Sequence, residues 1–131
     1  MGVTGPENDD SDRAYDYLAI DVVGPIVRKM RSVLDDPELV QADDPDCDKL
    51  VTAVEVLAVL FAHFDWLSPP ATRLVERCRD TFLAEWDAYI DELNPAPGHK
   101  EERRAVIVGH FDRLIRICEA ADQADGPREF G

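Results

Sequence analysis

One carboxylate stands out by its company. In the run Leu50-Val51-Thr52-Ala53-Val54-Glu55-Val56-Leu57-Ala58-Val59-Leu60-Phe61, Glu55 is the sole ionisable side chain. A charge held among apolar groups must be paired, hydrogen-bonded or neutralised by a proton, because an uncompensated ion in such a medium is costly. Two chemistries follow. Glu55 is either a general base or cation ligand with a raised pKa, or one half of a structural ion pair with Arg103 or Arg104. Both readings expect a buried Glu55; the structural one expects an arginine partner, and the enzyme or ligand-binding one an internal pocket around it.

Other chemistry finds less support. Carboxylate-bridged metal sites in helical bundles use Glu-x-x-His pairs, but the residues three before His63 and His110 are Leu60 and Ile107. The cysteines, Cys47, Cys78 and Cys118, are too far apart for a C-x-x-C zinc or redox motif. Ser11, Ser32 and Ser68 sit at helix ends without a nucleophile elbow, and Gly2 and Gly5 precede no strand that would make a phosphate loop. No metal and no cofactor is expected. The acidic strip Asp80, Asp87 and Asp91 has ligand-type side chains, but it falls opposite an apolar stripe and reads as a solvated face.

The elements that carry these residues are all helical. No strand alternation or hairpin dipeptide occurs, and four segments have helical period and punctuation. The first spans residues 12–34, with Ser11 as N-cap and a kink or break at Gly24-Pro25, where proline lacks the N–H of an internal bond. Arg28, Lys29 and Arg31 near its end suit the negative end of the helix dipole. A loop over 35–48 leads to Asp44-Pro45, an N-cap followed by proline at the first helical position.

The helix that follows, residues 46–64, carries Leu50, Val54, Leu57 and Phe61 on one side and Val56, Val59 and Ala62 on the other. A helix apolar on both sides belongs at the centre of a domain. Ser68-Pro69 is expected to open a third helix whose stripe is Leu74, Val75, Cys78, Phe82, Trp86, Tyr89 and Leu93. Asn94-Pro95-Ala96-Pro97-Gly98 ends it, and a fourth helix over 100–122 is expected to bury Ile107, Val108, Phe111, Leu114, Ile115 and Cys118. The expected fold is all-α: a single-domain bundle of four to five helices across 1–131, with a separate segment at 1–10 and a frayed tail at 126–131.

Charge narrows the partners. The 131-residue chain carries a formal net charge of −14. Nucleic acid and anionic membrane surfaces, themselves negative, are not expected to bind. Residues 1–48 hold 13 acidic against 4 basic side chains. A basic protein partner, self-association, or solubility in a salty or GC-rich background each fits that surplus. The acidic N-terminus is unlike a signal peptide, which points to the cytoplasm.

The opening residues also carry a resemblance. Met1, Gly2 and Gly5, followed by Ser11-Asp12-Arg13-Ala14-Tyr15-Asp16-Tyr17-Leu18, are similar to a family of small bacterial proteins grouped as a domain of unknown function. Its members open Met-Gly-x-x-Gly and continue Asn-Asp-x-Ala-x-Asp-Trp-Leu. Ala53-Val54-Glu55-Val56-Leu57-Ala58 resembles the family's Ala-x-Glu-Val-x-Ala stretch. Here Ser replaces Asn, Tyr replaces Trp, and Pro6–Asp10 reads as an insertion. The resemblance implies a helical domain with an ordered glycine segment, in which Asp12 or Asp16 bonds backbone near the first helix start; it implies no activity.

Three functions are expected to compete. The first is a non-catalytic binding or regulatory module that neutralises a basic partner, as an immunity protein does. The second is a small enzyme or ligand-binding bundle built on Glu55. The third is a structural or oligomeric protein.

Overall fold

A computed structural model describes residues 12–42 and 44–125. Helix α1 (Asp12–Asp16) passes without a break through a π-helical stretch, Tyr17–Val23, into α2 (Gly24–Asp35). A 3-10 turn, Pro37–Val40, leads to α3 (Pro45–His63); α4 (Thr72–Tyr89) ends in a second 3-10 turn, Ile90–Leu93, and α5 (His99–Asp125) is the last of the described elements. The all-α bundle is as expected from sequence.

The break expected at Gly24-Pro25 is resolved by the π stretch. Gly24 donates its N–H to the carbonyl of Ala19, five residues back, so the backbone widens just before the proline. A Cβ at Gly24 would meet that carbonyl oxygen at 3.2 Å, closer than most side chains tolerate, and glycine fits the approach.

Asp44 caps α3 as expected: its Oδ1 accepts the Asp46 N–H at 2.8 Å, with Pro45 in the first turn. The start of α4 differs from the sequence reading. Ser68 and Pro69 each precede a proline and are biased away from helical backbone, so the helix begins only at Thr72, after an extended Ala71, with no side-chain cap. At its far end Asn94 takes a left-handed conformation, φ 49°, and closes the helix before the proline linker.

Helices α2, α4, α5 and α3 form a ring in that order, with α3 and α4 on one diagonal. Side-chain pairs give the register. Asp87 meets Arg104 and Asp91 meets Lys100, so α4 and α5 are antiparallel; Thr72 donates to Asp122 at the other end. Asp48 meets Arg103 and Glu55 faces His110, an equal advance along both chains, so α3 and α5 run parallel. Phe82 and Phe111 lie in the core with ring centroids 5.6 Å apart, among Met30, Val54, Leu57 and Leu114.

Helix α3 buries Cys47, Leu50, Val51, Val54, Leu57, Ala58 and Phe61. Its second apolar side does not follow them inward. Val56 and Val59 are 40% and 49% exposed, and Ala62 is also exposed, so α3 is one corner of the ring and not an enclosed centre. Apolar identity alone does not imply burial.

Candidate functional site

Glu55 is neither buried nor paired with arginine. Its side chain is 50% exposed and its Oε1 stands 3.9 Å from Nε2 of His110. The reason is angular. Val54 points into the core, and the next residue along a helix turns about 100° away, which brings Glu55 to the outer edge of the seam with α5. The arginines named as partners are engaged elsewhere: Arg103 donates to Asp48 at 3.0 Å, and Arg104 grips Asp87. Glu55 lines neither of the grooves described below.

Gly2 and Gly5 lie outside the described residues, as does the side chain of Asp12. Asp16 is exposed and its side chain makes no capping hydrogen bond, and the alternative, Asp12, has its side chain outside the described residues. Ser11 also lies outside. Among the described residues, no three His, Cys, Asp or Glu side chains are grouped to hold a metal ion. None of the described helices is long and apolar enough to cross a membrane.

What the fold does assemble is an acidic pole. The end of α2, the Pro37–Val40 turn and the start of α3 bring Asp35, Asp36, Glu38, Asp44, Asp46 and Asp48 together. Because α5 runs parallel to α3 and antiparallel to α4, the same end also receives Asp91 and Glu92 from α4's terminus and Glu101 and Glu102 from α5's first turn.

Five cations at this pole are engaged, while Arg31, one turn before Asp35 on α2, makes no ion pair among the described residues. Lys29 bonds Asp46 at 2.9 Å and Lys49 stands 3.9 Å from the same carboxyl group. Lys100 holds Asp91, Arg103 holds Asp48, and Arg104 holds Asp87. The hydrogen bond and charge of Lys29 keep the Asp46 carboxyl below its ordinary pKa, and the hydrogen bonds that Arg104 donates to Asp87 strengthen its hold on its proton. Lys29 thus serves as a bridge between helices and not as a dipole counter-charge. Asp35, Asp36, Glu38, Glu92, Glu101 and Glu102 are exposed and make no ion pair among the described residues.

Sequence reading located the acidity in the first third and missed the contribution of α4 and α5. The signal was available. Asp87 and Asp91 before the Asn94–Gly98 linker mirror Lys100 and Arg104 after it, the arrangement of an antiparallel hairpin whose charges meet.

Beside the pole, α2 and α3 leave open grooves. One of about 430 Å³ is lined by Ile26, Asp48, Lys49, Thr52, Ala53 and Val56. It is continuous through Ile26, Lys49 and Ala53 with a second of about 270 Å³ that reaches Pro25, Lys29, Asp46 and Leu50. The thiols take no part in either. Burial pushes Cys47 up to about 11 and Cys78 to about 12, which keeps both protonated and inert.

Comparison with protein-family models, with curated proteins and with solved structures finds no match.

Proposed function

We propose that this chain is a non-catalytic binding module whose acidic pole docks a basic partner protein. The observation that supports this is the imbalance at the pole: Lys29, Lys49, Lys100, Arg103 and Arg104 are taken up by internal pairs and Arg31 is half-buried, while exposed carboxylates from three helices are left over. Such a surface raises the encounter rate with a cationic partner and repels nucleic acid. The competing enzyme reading rested on an enclosed Glu55, and the side chain's exposure removes that support. The resemblance of the N-terminus to a family of small bacterial proteins remains a separate proposal and contributes no residue to the pole.

The test compares two sets of substitutions of equal charge. One set, Asp36→Asn, Glu38→Gln and Glu92→Gln, neutralises the pole; the other, Asp65→Asn, Glu76→Gln and Glu119→Gln, neutralises acids elsewhere. Binding of a labelled oligolysine is followed by anisotropy at several salt concentrations. The pole set is expected to weaken binding several-fold and flatten its salt dependence, with little change from the second set. Equal loss from both sets reduces the acidity to a general property of the surface and overturns the proposal.

A further inference from the structure

The groove between α2 and α3 begins at the pole, where Asp46 and Asp48 line it, and its chemistry farther along is of another kind. Ile26 and Ala53 are half-buried along it, and Val56 stands 40% exposed on its margin. The next turn of α3 presents Val59, 49% exposed. Valine is a weaker helix former than Glu, Lys or Ala, so the helix gains nothing locally from β-branched residues on its wet side. The charged groups that border the groove are tied to one another: Lys29 and Lys49 to Asp46, and Asp48 to Arg103. What the groove offers an incoming chain is therefore apolar surface, with room of about 430 Å³ for one or two large side chains. The unpaired carboxylates lie past the N-terminus of α3, where Asp36 and Glu38 are exposed.

From this juxtaposition we propose that the groove receives an amphipathic helix of the basic partner, seating its apolar side chains against Ile26, Ala53 and Val56 while its lysines or arginines lie over the acidic pole. The inference rests on the reading of the pole given above. Charge complementarity selects the occupant. A second copy of this chain would bring another net charge of −14 to the same place, whereas a helix apolar on one face and basic on the other meets both surfaces at once.

Three synthetic probes of equal length, about 18 residues or five helical turns, separate the contributions. One is a leucine–lysine helix with its leucines on one face, the second an oligolysine, and the third a leucine–serine helix of the same pattern. The leucine–lysine helix is expected to bind about tenfold or more tightly than either of the others at physiological salt. Val56→Ser and Ala53→Gln, at exposed and half-buried positions that a folded chain accommodates, are expected to bring it down to the oligolysine level without changing oligolysine affinity. Circular dichroism of each variant confirms that the fold is retained.

If the leucine–lysine helix binds no more tightly than oligolysine, or Val56→Ser leaves it unaffected, the groove is not the seat and the pole proposal stands alone. Equal binding of the leucine–serine helix overturns the role of charge. Failure of every lysine-bearing probe to bind overturns the pole reading itself. A dimer in sedimentation that Val56→Ser dissociates assigns the groove to a second copy and overturns the proposed occupant.

Discussion

Arg104 and Asp87 form a two-pronged bridge between α5 and α4, Nε to Oδ1 at 3.0 Å and Nη2 to Oδ2 at 3.1 Å. Planar guanidinium matched to carboxylate is the stronger form of ion pair, because both groups are oriented by two bonds. Both side chains are nevertheless about two-fifths exposed, so water and salt screen the pair. Arg104→Lys keeps the charge and loses the fork. It is expected to lower stability by about 0.2–1 kcal/mol, with the deficit shrinking as salt is added. Urea denaturation at low and high ionic strength measures it.

Glu55→Gln is expected to be close to neutral, within about 0.5 kcal/mol, since the side chain is half-exposed and stands 3.9 Å from His110. A loss of several kcal/mol in the same denaturation assay would contradict the position of Glu55 at the outer edge of the seam.

Asp46 governs part of the acid limb. Its folded pKa lies below the ordinary 3.8 because Lys29 bonds and attracts the carboxylate. A depressed carboxylate contributes stability that is present above the unfolded value and is lost as pH falls through the lower, folded one. Asp46→Asn removes that contribution at every pH. Wild type and variant should therefore differ at neutral pH and converge as pH falls below the ordinary carboxyl value of 3.8, when urea midpoints are compared across the range.

The thiols should be silent in the native state. Cys47, Cys78 and Cys118 are all buried, and burial raises the first two to about 11 and about 12. At about pH 8 an aromatic disulfide reagent is expected to label them only at the rate of unfolding, and at once in denaturant. Rapid labelling of any of the three in the folded protein would contradict their packing.

Gly109 lies exposed in the middle of α5, with nothing within 4 Å of where a Cβ would stand. Its cost is the entropy that glycine surrenders in a helix. Gly109→Ala is expected to stabilise the chain by about 0.5–1 kcal/mol, read as a rise in thermal midpoint.

Local chemistry determined much of this molecule from the sequence alone. The helical period of the core stripes, the Asp44-Pro45 cap and the stop at Asn94–Gly98 are decided within a few residues of each other, by side-chain angle, by a carboxylate reaching an N–H two residues on, and by proline's missing donor. The start of α4 was also legible, since successive prolines restrain the residues before them, although a cap-and-proline reading of Ser68-Pro69 places it too early.

Only the tertiary structure decided which of two apolar faces is buried and which acids meet. Leu57 and Val56 are neighbours in sequence and alike in hydropathy, yet one is wholly enclosed and the other 40% exposed, because the ring places α5 and α2 beside α3 and leaves its outer side uncovered. The same arrangement carries Arg103 to Asp48 and Arg104 to Asp87, away from Glu55, and gathers the ends of four helices into one acidic pole. A helix's period fixes the angles between its side chains but not the direction in which the core lies; that direction is set by which helices become neighbours.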